Sequence, residues 1–325
     1  MGFMIELNKI HHLDNREGLA LLPEKCASLI IADPPYFEVK GDFDFVWSSF
    51  DEYLSFMEEQ AKLYKRVLAE NGTLFVYGHA KRIAYVQVIF DRYFNLENNI
   101  TVHIFDRQTN KGVESFRCFA PVTERLLMYS NEIMRTGLEE IKLDMDNFTT
   151  LRGYFKQVQD FIGTGKNSII DKLGQKADHC FRHGSTQWDM PTPETYAGLI
   201  LHFGIDKMQG FIEYEALRLE YEALRRPFNN LSKLTDVMRF SQEGHITKDY
   251  DHDTVKPEKL SKTLILTCSR PDDLVVVPFS GSGTECAMAA KEGRQFVGFE
   301  TTLKHVEMSN NRVHEATRQG ALFSC

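Results

Sequence analysis

Apolar positions along the 325-residue chain follow two different periods. Over the first 130 residues, short apolar runs alternate with stretches of helical spacing. Leu29, Ile30, Ile31 and Ala32 form an unbroken run stopped by Pro34-Pro35, which reads as a buried strand whose ladder cannot continue. Before it, residues 6–22 predict a short strand, a turn at Asp14-Asn15 and a helix. After it, Tyr53, Leu54, Met57, Ala61, Tyr64 and Leu68 share one helical face, and Asn71-Gly72 is the expected stop. Strands are predicted at 73–77, 100–105 and 125–129, with a helix between the first two.

From about residue 148 strand-like runs disappear, and helical segments continue to about 240. Within this stretch YEALRLE is followed by YEALRR, which puts Tyr214, Leu217, Tyr221 and Leu224 at a and d spacing. Glu215 with Arg218 and Glu222 with Arg226 can pair along that helix. Two packings fit: an amphipathic helix laid on its own domain, or a short self-association helix. Two heptads are too few for a coiled coil alone. The α/β alternation then returns. A strand is predicted at 274–277, a glycine-rich turn at 278–284, a helix at 285–292, a strand at 295–299 ending on Glu300, and a last helix to about 318. Strands alternating with helices predict an α/β layered sheet with helices on both faces. The expected divisions are 1–147, a helical 148–240 and 241–325.

Composition adds boundaries. With 42% hydrophobic and 26% charged residues the chain is ordinary globular protein. It contains no apolar run of about 18 residues, the length a membrane helix needs. Its first residues, MGFMIELNKI, lack the order of a signal peptide, so a cytoplasmic location is expected. The six cysteines, at 26, 118, 180, 268, 286 and 325, show no CxxC spacing, which argues against structural zinc and a disulfide framework. The net charge of -8 excludes a protein that coats nucleic acid nonspecifically, because that mode needs a dominant positive field. A local basic site remains compatible with it.

Two segments carry chemistry. Asp33-Pro34-Pro35-Tyr36 follows a buried strand, where ligands of open α/β sheets sit. The carboxylate of Asp33 and a proline carbonyl offer acceptors without a competing N–H, and Tyr36 offers a flat face. Together they suit a planar group bearing an exocyclic amine. The second segment is Pro278-Phe279-Ser280-Gly281-Ser282-Gly283-Thr284, between a strand and a helix. Its glycines allow close backbone approach, and Glu300, ending the next strand, is placed to accept ribose hydroxyls. The loop is not a phosphate-binding GxxxxGK[ST]. A third segment, His252-Asp253-Thr254-Val255-Lys256-Pro257, precedes a helix and by itself reads as a solvated loop with a helix-starting proline.

Taken in order, DPPY, a helical region, HxTxKP, PFSGSGT and a strand ending in Glu resemble the beta-class, permuted DNA amino-methyltransferases that use S-adenosylmethionine. The resemblance covers about residues 5–130 and 230–318. It implies a Rossmann-like methyltransferase sheet in circularly permuted order, with residues 148–240 as a helical target-recognition insert. It implies that Asp33, Pro34, Pro35 and Tyr36 receive the N6 amine of an adenine flipped out of double-stranded DNA. Phe279, Ser280, Gly281, Ser282, Gly283, Thr284 and Glu300 would hold S-adenosylmethionine. Thr254, Lys256 and Pro257 would flank its amino-acid end, and Asp14 would lie near its adenine. Glu124 falls in a motif after the central strands to which no role is assigned. Two positions depart from the family pattern: Val277 stands where Asp precedes Pro-Phe, and Asp253 where HPTxKP has Pro.

Hydrogen bonds from N6 to Asp33 and to the Pro34 carbonyl would localise the amine lone pair, so direct displacement needs no covalent enzyme intermediate. The alternatives are N4-cytosine methylation, since both amines fit one slot, and a catalytically silent DNA-binding subunit. DNA reading would fall to residues 150–190, which carry six Lys/Arg against four Asp. Residues 166–181 have helix-turn-helix spacing around Gly174. Lys166, Asn167, Lys172, Gln175, Lys176, Arg182, His183, Gln187 and Trp188 are the expected DNA-facing residues. A cognate restriction endonuclease and a homodimer are the expected partners.

Overall fold

A computed structural model describes residues 4–39, 44, 46–105, 122–131, 148–185, 187–230, 233–241 and 255–322, with the side chains of 105 and 319–322 left aside. The chain divides into two compact units. One joins Met1–Met134 with Arg226–Cys325; the other is Arg135–Arg225.

The first unit is built on an eight-stranded sheet in the order β1-β8-β7-β2-β3-β5-β4-β6. Its strands are β1 (Lys9–His12), β2 (Ala27–Ala32), β3 (Leu68–Gly78), β4 (Asn95–Phe105), β5 (Thr123–Ser130), β6 (Val237–Ser241), β7 (Leu274–Val277) and β8 (Gln295–Glu300). The run from β1 through β8, β7 and β2 to β3 is parallel, while β5 is antiparallel to both β3 and β4. The last two strands of the chain thus sit at positions two and three of the sheet. This is why the glycine loop comes late in the sequence yet lies beside the strand that carries Asp33.

Side chains alternate across the sheet as the period of two requires. Ile30, Leu74, Val76, Val276 and Val297 enter one core, and Leu29, Ile31, Phe75, Val275 and Phe296 enter the other. Helices α1 (Asn15–Ala20), α2 (Phe50–Val67) and α3 (Ile83–Phe90) cover the first face. After the second unit's four helices come α8 (Glu258–Cys268), α9 (Thr284–Lys291) and α10 (Leu303–Leu322), which serve the second face. Helix α2 has Ser49 as its cap, accepting the Glu52 N–H at 3.2 Å, with Asp51 and Glu52 in its first turn and Lys65 and Arg66 in its last. Acidic start and basic end both favour the helix dipole.

Two boundaries differ from the sequence expectation. Helix α2 does not run to Asn71-Gly72; it stops at Val67, and β3 begins at once. Ala27 pairs with Leu68 and Leu29 with Thr73, so Asn71-Gly72 lies in a bulge of the strand. A Cβ on Gly72 would come within 2.7 Å of the Leu68 side chain and 3.0 Å of the Ala27 carbonyl, so the bulge is closed to larger residues. The expected helical region also reaches too far. Residues 226–240 belong to the sheet unit, and β6 pairs in parallel with β4 from Thr101 to Phe105. It is a partly exposed edge strand without a strong apolar alternation.

The second unit is helical, with α4 (Thr149–Ile162), α5 (Lys166–Leu173), α6 (Pro193–Phe203) and α7 (Tyr214–Leu224). Its core gathers Leu151, Phe155, Ile169, Phe181, Leu199 and Leu217, among others. Leu217 of the heptad pattern is fully buried, and Tyr214, Tyr221 and Leu224 pack on the same core. The stripe is therefore covered by its own unit, as the amphipathic-helix alternative requires. Glu222 pairs with Arg225 at 2.9 Å, while Arg226 turns to Glu97 at 3.4 Å. The helix-turn-helix expectation fails. Gly174, at φ 84°, ends α5, and two three-residue 3₁₀ turns come after it, Gln175–Ala177 and His179–Phe181. No recognition helix forms there.

Candidate active site

Strand direction decides what gathers at the site. The carboxyl ends of β1, β8, β7, β2 and β3 share one edge of the sheet, and β5, running the other way, brings its first residues to that same edge. Asp14, Glu300, the 278–284 loop, Asp33, Tyr77 and Glu124 all belong to this edge.

Asp33 is about one-quarter exposed and lies directly past β2. The Tyr36 hydroxyl donates to its Oδ1 at 2.5 Å, and Lys256 Nζ stands 3.0 Å from its Oδ2. The proline pair sets the chain direction, and buried Asp44 accepts the Tyr36 N–H at 2.5 Å while its own carbonyl accepts the Glu38 N–H at 2.9 Å. The tight DPPY turn is thus braced from behind. Burial, and next the Asp33 charge, push the Tyr36 phenol well above its ordinary value, so it stays a neutral donor.

Lys256 is 7% exposed and also donates to Glu124 Oε2 at 3.0 Å. Its ammonium lies 4.5 Å from the centre of the Tyr77 ring and 6.0 Å from that of Tyr36. Burial works against a charged amine, but the facing Asp33 and Glu124 carboxylates outweigh it and hold Lys256 protonated above its usual range. Below this cluster, buried Glu285 accepts the Ser261 hydroxyl at 2.9 Å. Burial raises its pKa, reinforced by the nearby Asp33 charge.

The glycine loop is anchored on both sides. Ser280 N–H donates to the Phe299 carbonyl at 2.8 Å, and Gly283 N–H to the Ser280 carbonyl at 2.7 Å. Gly281 and Gly283 have φ values of 47° and 74°, the left-handed region that glycine enters without penalty. Glu300 Oε2 accepts the Gly281 N–H at 3.1 Å, and its Oε1 accepts the Thr302 N–H at 2.8 Å. Helix α10 reaches over from the far end of the chain. Ser309 donates to the Gly281 carbonyl at 2.8 Å, and buried Arg312 donates to Thr284 Oγ1 at 2.7 Å and to Glu258 Oε1 at 2.8 Å. Asp14 caps α1 and is clasped by Arg16 at 2.9 and 3.1 Å, which holds its carboxyl below the usual range. His12, two residues before it, pairs in register with Glu300.

The structure therefore brings Asp33, Tyr36, Lys256, Asp14, Glu300 and the loop residues Phe279 to Thr284 to one edge. Thr254, with His252 and Asp253, lies outside the described residues. Val277 is buried in the second core, where it acts as a strand residue. Asp44, Glu285 and Arg312 escaped the sequence reading, and Glu124 had a motif but no partner. Asp44 had no local signal beyond an acidic residue after DPPY, and Arg312 none at all.

Within the helical unit, several expected DNA-facing residues are engaged internally. Trp188 is buried, its Nε1 donating to the Cys180 carbonyl at 3.0 Å with the Arg152 guanidinium 5.2 Å from its ring centre. That position is incompatible with stacking on a base. Asp178 draws in Lys166 at 2.7 Å and Arg182 Nε at 2.7 Å, and His183 bonds Gln159 at 2.9 Å. Asn167, Lys172, Gln175, Lys176 and Gln187 remain exposed.

Comparison with known proteins identifies the family and the fold. The family model described as DNA methylase matches residues 27–311. Among curated relatives, the DNA adenine methyltransferase YhdJ of Escherichia coli K12 is 23% identical, covering 97% of this chain and 86% of its own length. The type II methyltransferase M1.MboII of Moraxella bovis is 22% identical, covering 94% and 96%. Among solved structures, the cytosine-N4-specific PvuII DNA methyltransferase aligns with a TM-score of 0.53 at 15% identity, covering 98% of this chain and 96% of that one. A putative DNA modification methylase of Thermus thermophilus, complexed with S-adenosyl-L-methionine, aligns with a TM-score of 0.51 at 15% identity over 95% and 94%. These last two establish the fold. With the family match spanning nearly the whole described edge, from β2 to α10, this chain belongs to the DNA methylase family.

Proposed function

We propose that this chain is a site-specific DNA methyltransferase that transfers a methyl group from S-adenosylmethionine to the N6 amine of adenine. The observation that carries the reading is the Asp33 carboxylate, fixed past β2 with one oxygen held, among the described residues, by a tyrosine hydroxyl alone, on the same sheet edge as the glycine loop. An exocyclic amine has two hydrogens to give, and Asp33 with the Pro34 carbonyl can accept both. The relatives named as adenine methyltransferases favour adenine over cytosine.

The donor set suits S-adenosylmethionine. Glu300 uses one lone pair on each oxygen for backbone N–H groups, leaving further lone pairs for ribose hydroxyls. Asp14 stands beside it, and the positive-φ glycines let the backbone come close. When bound, the cofactor supplies an electrophilic methyl group on a sulfonium. The chain's part is positioning and electrostatics. Asp33 orients the amine and favours the pyramidal nitrogen, Tyr36 offers its ring to the base, and the loop holds the methyl donor in reach. A base inside a duplex cannot enter this slot, so the target adenine is flipped out. The exposed polar residues of the helical unit, Asn167, Lys172, Gln175, Lys176 and Gln187, would meet the DNA. The relatives named type II methyltransferases suggest a restriction-modification setting, in which a cognate endonuclease is the partner and the cytoplasm is the place. No helix among the described residues is long and apolar enough to cross a membrane.

The test is methyl transfer by purified protein from tritiated S-adenosylmethionine to genomic DNA of a methylation-deficient bacterium. Asp33→Ala should lose transfer while binding S-adenosylmethionine nearly as wild type does. Retained turnover in that variant would remove Asp33 from the reaction.

A further inference from the structure

We infer that Lys256, clamped between Asp33 and Glu124, is a positioning residue that fixes which oxygen of Asp33 receives the substrate amine. The inference rests on the methyltransferase reading above; it gives Glu124 a role and gives Lys256, which the resemblance sets beside the cofactor's amino-acid end, a second one. Lys256 has three N–H donors. One goes to Asp33 Oδ2 at 3.0 Å, one to Glu124 Oε2 at 3.0 Å, and the ammonium lies 4.5 Å from the Tyr77 ring centre. Oδ2 is thereby committed to a buried cation. Among the described residues Oδ1 carries the Tyr36 hydroxyl alone, a neutral donor that a substrate amine can replace. The working acceptor is Oδ1.

Glu124 makes the clamp safe for catalysis. A buried ammonium facing Asp33 alone would bind it tightly and drain its power to accept an amine proton. The second carboxylate shares the ammonium, and it arrives only because β5 runs opposite to its neighbours. Among the described residues, the charged and titratable groups around the ammonium are Asp33 beyond β2, Glu124 on β5, Tyr77 on β3, Tyr36 of the DPPY turn and Glu285 on α9. Burial keeps both phenols neutral, so the balance is set by the carboxylates and the one amine.

The two halves of the clamp should respond with opposite sign. In Lys256→Met two carboxylates face each other without a cation, so kcat falls tenfold or more and the acid limb of its pH profile moves up. In Glu124→Gln the ammonium is left to Asp33, so kcat also falls but the acid limb moves down. S-adenosylmethionine affinity, measured by calorimetry, should stay within about twofold of wild type in Glu124→Gln. The Lys256→Met/Glu124→Gln double variant leaves Asp33 without either partner and keeps the test open where Lys256→Met alone does not fold: its acid limb should lie above that of Glu124→Gln, and a limb at or below it overturns the clamp. Limbs that move in the same direction, or not at all, overturn the clamp. So does a loss of cofactor affinity with kcat intact, which would mean that Lys256 serves the cofactor. A wild-type chain without transferase activity overturns the methyltransferase reading and the clamp together, whereas an active wild type with unresponsive variants overturns the clamp alone.

Discussion

Gly283→Ala tests whether the glycine loop is held by the last helix. Gly283 caps α9 at φ 74° and ψ 16°, where an alanine costs about 1–2 kcal/mol. Its new Cβ would meet Ser309 Cβ at 2.7 Å and Ser309 Cα at 3.1 Å, so part of α10 must shift rather than one side chain. Overpacking of that kind costs about 1–3 kcal/mol. The shift also strains the Ser309 bond to the Gly281 carbonyl, 2.8 Å long, adding about 1 kcal/mol. The sum is about 4 kcal/mol, a large fraction of a typical domain's stability. Urea unfolding against wild type reads it, and calorimetry at a temperature where the variant is folded should show S-adenosylmethionine binding weakened at least tenfold. Gly153→Ala is the control. It lies within α4 with no atom within 4 Å of a new Cβ and should gain about 0.5–1 kcal/mol. A Gly283→Ala protein within about 0.5 kcal/mol of wild type, as for an ordinary surface change, would refute the anchoring.

Three further outcomes are expected. Trp188→Ala should destabilise the helical unit by about 3–5 kcal/mol, read by thermal or urea unfolding, without changing the methylated sequence; a change of sequence specificity in a stably folded protein would restore Trp188 to the DNA surface. Lys176→Glu should weaken DNA binding uniformly across sequences and flatten the salt dependence of affinity, as measured by titrations at several ionic strengths. Asp178 is held at about 2 in the fold by hydrogen bonds from Arg182 and Lys166, against 3.8 without them. Its folded value is depressed, so its contribution is present above the unfolded value and is lost as pH falls from about 4 to about 2. The stability gap between wild type and Asp178→Asn should close over that window; a gap that persists unchanged to pH 2 would contradict the assignment.

Local sequence carried much of the site. The apolar run at 29–32 and the prolines after it define β2 and the DPPY turn without outside help, and the two glycines at 281 and 283 announce a backbone that must take positive φ. The clamp was not legible in the same way. Glu124 and Lys256 lie 132 positions apart, and they meet only because β5 is antiparallel, which no local pattern states. Apolar spacing carried α2 through Leu68, but tertiary pairing of Leu68 with Ala27 claimed that residue for the sheet. The strand at 237–241 sits on an edge, with Val237 exposed like Arg239 and Phe240 buried, so its apolar and polar positions do not alternate cleanly. Gly174 marked a real break, yet spacing alone could not tell a second α-helix from two 3₁₀ turns. Trp188 is an expected DNA-facing residue, but the aromatic core around Phe148 and Phe155 claims it.

The most direct measurement is nucleoside mass spectrometry of DNA from a methylation-deficient host expressing the wild-type chain or Asp33→Ala. The account predicts N6-methyladenine with the wild type and none with the variant. N4-methylcytosine in its place would contradict the choice of base, and unmodified DNA from cells holding folded wild-type protein would contradict the enzyme itself.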